Sequence, residues 1–188
     1  MPGRVTCQTG DVDFDFIAGN LALDFVATVA ERGTTDLEKL RTGEDVRAWI
    51  QAAGVLDAPP RVADPGAAIE LREALYAMIE ALVAGRPVPQ AALATVNAAA
   101  AAPPPVPRAA GHSVRREGDL AAALSAIARD GLALLELDDP TALRFCADER
   151  CTRPFLDRSR GGRRRWCGMA GCGDRAKAAA YRARHRAG

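Results

Sequence analysis

Apolar residues recur along this chain at helical spacing in several stretches, separated by breaks rich in proline and glycine. The clearest begins at Asp64-Pro65. Ile69, Leu71, Leu75, Met78, Ile79 and Leu82 form a wide apolar stripe, the proline suits the first turn and Gly85 suits the end. Thr42-Gly-Glu-Asp45 has the form of a capping box, with Asp45 in place of the usual Glu or Gln, and predicts a helix through Trp49 to about Ala53. Asn20 is a good N-cap for LALDFVATV, where Leu21, Asp24 and Phe25 fall at helical spacing, so a helix is expected over 20–31, ended by Gly33. Asp24 interrupts that apolar run. A buried carboxylate must be paired or hydrogen-bonded, and a nearby backbone group or arginine is a simpler partner than a ligand. Pro89 starts an alanine-rich helix to about Ala101, which must pack closely or lie at the periphery. Asp119 caps a helix over 119–136 whose core face is Leu120, Leu124, Ile127 and Leu134.

The polar alternation predicts little sheet. Residues 1–13 read as a loose start, and Asp11, Asp13 and Asp15 alternate with Val12, Phe14 and Phe16, which predicts a half-buried strand over 12–17 with its carboxylates on the wet face. Pro103, Pro104, Pro105 and Pro107 forbid helix. Residues 105–117 admit two readings: a hairpin of 105–109 with 113–117, turned at Ala110-Gly111-His112, or a flexible linker. Asp138-Asp139-Pro140 marks a junction, after which Leu143–Phe145 leads into a cysteine pair. Pro154–Leu156 and Arg163–Trp166 are expected to pair as short strands about a turn at Ser159–Gly162, before a helix over 170–184. The fold class expected is α+β, mainly α: a helical domain, 1–140, with a small β-hairpin, and a treble-clef-like module of hairpin and helix, 141–188.

A chain of 188 residues, 48% hydrophobic, is long enough for one ordinary core and a small appendage. No apolar run approaches a membrane span, and MPGRVTCQTGDVDF has no apolar core of a secretory signal, so a cytoplasmic protein is expected. The net charge of +1 hides a division. Residues 141–188 hold 13 Lys and Arg against 4 Asp and Glu, whereas residues 1–140 hold 12 against 20. A basic tail on an acidic body suggests that the tail meets a polyanion.

Four of the five cysteines lie in that tail, as Cys146-x4-Cys151 and Cys167-x4-Cys172 with fifteen residues between the pairs. Two close thiol pairs brought round by a short insert are what a tetrahedral metal needs, and soft thiolates in a closed shell select one structural zinc. Two disulfides would need an oxidising compartment. Unliganded core thiols fit poorly, because Cys151 and Cys167 sit among arginines. Cys7 stands apart.

The expected last helix carries Ala176, Ala180 and Ala183 on one stripe, small enough to lie flat on the hairpin. Arg175, Arg182 and Arg186 flank it on one side, Lys177 and Arg184 on the other, and Arg163, Arg164 and Arg165 add charge from the preceding segment. Guanidinium groups match phosphate oxygens and the edge of guanine, so these eight residues form a candidate nucleic-acid surface. The competing reading is a solvated helix that offsets the two net negative charges of a zinc tetrathiolate.

WCGMAGCGDR resembles the signature of the CGNR zinc-finger family, in the form Cys172-Gly173-Asp174-Arg175, and FDFIAGNLALDFVATV, residues 14–29, resembles the start of the ABATE domain that precedes that finger. The resemblance spans essentially the whole chain. It implies a finger that binds zinc and DNA in a protein described, largely by inference, as a stress-induced transcription regulator. The family's Asn is Asp174 here, which can keep a turn or cap bond but loses an amide donor and adds negative charge.

These features suit three functions. The first is a DNA-binding regulator, dimeric where its recognition is specific, because one small finger offers too little surface. The second is a zinc-stapled protein-interaction module. The third is a small-molecule-sensing protein with its effector in the N-terminal domain. An enzyme is not expected: His112 and His185 have no nucleophile beside them, and one carboxylate, Asp24, is not a mechanism.

Overall fold

The computed structural model describes residues 6–9 and 12–186, with no side-chain description for residues 6–9, 12 and 186. Asp11 lies outside the described residues, as do the side chains of Cys7 and Arg186. The chain opens with strand β1 (Thr6–Thr9), antiparallel to β2 (Val12–Asp15). The reading of residues 1–13 as loose is therefore corrected for 6–9 and 12–13, while 1–5, 10 and 11 lie outside the described residues. β1 shows no apolar alternation, and its pairing comes from β2, which buries Phe14 under the core while Asp13 stays exposed.

Helix α1 spans Leu21–Val26, shorter than the expected 20–31. Asn20 caps it as expected, its side chain accepting from the Leu23 amide at 3.0 Å. The helix stops early because the Thr28 hydroxyl and amide both donate to the Phe25 carbonyl, turning the chain into β3 (Val29–Ala30), which pairs with β4 (Leu37–Glu38). The β-branched run Val26, Thr28, Val29 suits that switch. Gly33, expected to end the helix, instead lies in the β3–β4 loop with φ of 74°.

Helix α2 (Gly43–Ala52) starts with the capping box: Thr42 Oγ1 accepts from the Asp45 amide and Asp45 Oδ2 accepts from the Thr42 amide. Helix α3 (Gly66–Val83) ends at Gly85, whose φ of 62° lets the Arg86 amide reach back to the Ala81 carbonyl. Helix α4 (Gln90–Ala101) buries only Ala92 and Val96, and packs against α3 and against α5 (Leu120–Leu132). Between α4 and α5 stand β5 (Val106–Ala110) and β6 (Ser113–Glu117), an antiparallel hairpin, so the linker alternative for this stretch falls away. The core lies where α1, α2, α3 and α5 meet, around Trp49, Phe25, Leu75, Met78 and Ile127. Phe25 and Trp49 approach to 4.8 Å between ring centroids. Burial of such side chains contributes roughly 1.5–3 kcal/mol each.

After α5 the chain makes two tight helical turns and enters β7 (Leu143–Phe145), which pairs with β8 (Pro154–Leu156) in antiparallel register, Leu143 opposite Leu156. The hairpin of the C-terminal module is thus 143–145 with 154–156, and the expected pairing of 154–156 with 163–166 is corrected. Arg163–Trp166 forms no ladder because its backbone is held by single anchors: the side-chain Oδ2 of Asp157 accepts from the Arg164 amide, and the Arg165 carbonyl accepts from the Ala147 amide.

The strap at residues 16–20, between β2 and α1, joins this hairpin to the helical core. The Leu156 amide donates to the Ala18 carbonyl at 2.8 Å, and Arg153 pairs with Asp15 at 3.0 Å. Asp24 fixes the strap from beneath. Its Oδ1 accepts from the amides of Ile17 (2.9 Å) and Ala18 (2.8 Å). Burial pushes the Asp24 carboxyl up to about 6 from an ordinary 3.8, against the pull of those two amides and of Arg164. The protonated form is the one the fold favours. Its contribution is fully present below pH 3.8 and is lost as pH rises through 6, a difference of about 3 kcal/mol. Asp24→Asn keeps the acceptor and cannot ionise. Urea midpoints across pH 5–8 should fall for the wild type relative to Asp24→Asn, and Asp24→Ala should be about 2 kcal/mol less stable than Asp24→Asn at every pH. Parallel pH curves for the wild type and Asp24→Asn would contradict this.

Candidate metal centre

Two turns carry the four thiols. The first is the β7–β8 loop: the Cys146 amide donates to the Arg153 carbonyl and the Cys151 amide to the Asp148 carbonyl, which folds Cys146 and Cys151 towards each other. The second comes after Trp166. Ala170 is extended and Gly171 has φ of 103°, a left-handed conformation that a side chain would strain, and this kink swings Cys172 back beside Cys167 at the start of helix α6 (Asp174–Arg186).

All four cysteines are buried, and their Sγ atoms lie within 4.8 Å of one another. Cys151 and Cys172 each stand 3.7 Å from Cys167, sulfur to sulfur. A disulfide requires about 2.05 Å, so none of these is bonded to another. A tetrahedron with Zn–S bonds of about 2.3 Å has edges of about 3.8 Å, which matches. The second shell also fits a thiolate set. The Cys167 amide donates to Cys146 Sγ, and Arg175 donates from Nη2 to Cys172 Sγ at 3.0 Å and from Nε to Asp148 Oδ2 at 2.8 Å.

The thiols do not ionise together unaided. Hydrogen bonds from Cys151 and then Cys167 draw the Cys146 thiol far below the ordinary range, while those neighbours hold their protons. Burial, and then the neighbouring Cys151, push Cys172 up to about 12. A divalent cation removes that conflict by binding all four as thiolates. One zinc ion held by Cys146, Cys151, Cys167 and Cys172 is the cofactor of this module.

The eight basic residues expected at nucleic acid separate into groups. The guanidinium of Arg164 lies 4.4 Å over the Phe155 ring and donates to the carbonyls of Ile17 (2.8 Å), Trp166 (3.0 Å) and Cys167. Arg175 is committed to Asp148 and Cys172. Arg163 and Arg165 are exposed, Arg165 lying over the Trp166 ring at 5.3 Å. Lys177, Arg182 and Arg184 are exposed on α6, and Lys177 stands 3.7 Å from Asp174. The side chain of Arg186 lies outside the described residues. The expectation that Ala176, Ala180 and Ala183 lie flat on the hairpin is corrected: Ala180 and Ala183 are exposed, because α6 leads away from the body after its first turn.

Two functional residues escaped the sequence reading. Asp157, buried, accepts from the amides of Ser159 and Arg164, from the Ser159 hydroxyl and from Arg144, and so shapes the loop before the second thiol pair. Burial raises its carboxyl and these partners more than offset that, holding it below the ordinary range. Asp148 orients Arg175. An aspartate two residues before a serine signals such a turn, and Asp157-x-Ser159 has that form.

A family model for the ABATE domain, described as "Putative stress-induced transcription regulator", matches residues 19–138, and one for the CGNR zinc finger matches residues 142–185. No curated protein matches the chain. Among the described residues no helix is long and apolar enough to cross a membrane.

Arg175→Ala should weaken zinc binding about 10- to 100-fold in competition with a chromophoric chelator, whereas Lys177→Ala should leave it unchanged. Chelating the metal from the wild type should release one zinc per chain and abolish the circular dichroism of α6 while the helical core persists. Equal zinc affinities for Arg175→Ala and Lys177→Ala would remove Arg175 from the site.

Proposed function

The chain belongs to the ABATE family and carries a CGNR zinc finger, and on that premise we propose that it is a transcription regulator that binds DNA through this finger. The observation that carries the reading is the course of α6. It leaves the zinc site directly after Cys172, and every side chain from Lys177 to Arg184 is exposed. Its 13 residues extend about 20 Å, and a helix of that girth fits a major groove about 12 Å wide. Lys177, Arg182 and Arg184 would meet phosphates and base edges from α6, with Arg163 and Arg165 adding contacts from the loop. Arg164 and Arg175 would act indirectly, by holding the loop and the helix in place. Specific recognition by so small a surface implies two copies on one site.

Anisotropy of a labelled duplex tests this. Affinity should fall steeply with salt, and the combined change of Lys177, Arg182 and Arg184 to Ala should flatten the slope of log K against log salt by about 2 to 3, since each lost phosphate contact removes about 0.9. A slope unchanged by that variant, with zinc retained, would exclude α6 as the contact surface.

A further inference from the structure

A cavity of about 1000 Å³ opens between the strap and the loop that carries the finger's arginines, at the upper end of the range for small-molecule sites. It is distinct from an effector site inside the N-terminal domain, because both halves of the chain build it: Phe16, Ile17 and Asp24 from one, residues 156–169 from the other. Its walls have two chemistries. Phe16, Leu156 and Trp166 give apolar and aromatic surface, and Arg158, Arg160, Arg163, Arg164 and Arg165 bring five guanidinium groups.

The described residues answer those five charges only in part: Arg164 faces the Asp24 carboxyl, and Arg165 lies over the Trp166 ring. Arg164 is bound to backbone carbonyls, and Arg158, Arg160 and Arg163 have no carboxylate partner among the described residues. Asp24 is the one carboxylate of the lining, and its Oδ1 is turned to the amides of Ile17 and Ala18. Asp157, beside the cavity, is already paired with Arg144. An apolar pocket with surplus guanidinium groups attracts an oxyanion, which arginine grips in a bidentate way, and an aromatic wall favours a flat ring.

We propose that this cavity is a binding site for a small aromatic oxyanion, a flat ring that carries a phosphate or carboxylate group. The ring lies against Phe16 and Trp166, and the oxyanion meets Arg158, Arg160 and Arg163 on the loop. Because the strap and the finger both contribute, the bound molecule ties one to the other. The site stands whether or not the finger binds DNA.

Calorimetry on the full zinc-loaded chain, at fixed ionic strength and without DNA, tests the proposal directly. The probes are 1-naphthyl phosphate and 1-naphthoate, and the tighter of the two identifies the oxyanion. One of them should bind at one per chain with Kd below about 1 mM. Inorganic phosphate and 1-naphthalenemethanol, which each lack one half of the chemistry, should bind at least about tenfold more weakly. The double change Arg160→Ala with Arg163→Ala should weaken binding at least about fivefold, as should Trp166→Ala, while Trp166→Phe should retain it. The proposal fails if neither probe saturates by about 10 mM, if inorganic phosphate binds as well as the aromatic probes, or if a double variant shown to keep its zinc and helix content binds unchanged.

Discussion

Four thiols cannot share one buried volume as thiolates unless a cation lies among them, and the shape of the C-terminal quarter depends on that constraint. Cys146 and Cys151 come from a loop closed by β7 and β8, and Cys167 and Cys172 come from a kink that needs the left-handed Gly171. Neither turn has much apolar surface of its own. The zinc supplies the attraction that a core this small lacks, and binding it is inseparable from folding the module. Helix α6 inherits its direction from this arrangement, because its first residue lies two positions past the last ligand and its outer turns are exposed.

The same constraint explains how the basic residues of the tail divide. A tetrathiolate zinc site carries two net negative charges, and Arg175 stands at its edge with a hydrogen bond to Cys172. Arg164, Arg153 and Arg144 are also internal, joining the loop to carbonyls of the strap, to Asp15 and to Asp157. The surplus charge of residues 141–188 is thus part adhesive and part surface. Buried or half-buried guanidinium groups with several partners fix geometry, while exposed ones keep their attraction for an external anion. The strap is where these roles meet, since Ile17 and Ala18 receive bonds from the finger on their carbonyls and give their amides to Asp24.

Much of this was legible in the sequence because local rules and tertiary packing agree there. Asp45 three residues after Thr42, and Gly85 after the apolar stripe of α3, each have one good structural solution, and the cysteine spacing admits few. Where the rules are weak the reading failed. β1 has no alternation to betray it, and α1 stops at a threonine whose hydroxyl competes for a helical carbonyl, a choice that propensity does not resolve. The run Arg163-Arg164-Arg165 shows the deeper limit. Three identical side chains carry no periodic signal, so nothing local reveals that the middle one turns inward onto Phe155 while its neighbours face solvent. That choice is made by carbonyls of Ile17, Trp166 and Cys167, one of which lies 147 positions away.

Asp174 is the clearest departure from the family's signature, and the structure limits what it changes. It is the first residue of α6, exposed, with its carboxylate 3.7 Å from Lys177 one turn on. A negative charge at a helix N-terminus is favoured by the helix dipole, and the exposed pair with Lys177 adds at most a small further gain. Among the described residues its carboxylate makes no cap bond, so its part in the fold is electrostatic. The cost falls on charge: the carboxylate partly neutralises Lys177, the next basic residue along α6 after Arg175, and moves the positive field of the helix towards Arg182 and Arg184. A polyanion that approaches α6 would therefore meet its strongest attraction at the distal turns, away from the zinc, and the proximal turn would be left to hold Cys172 and Arg175 in place.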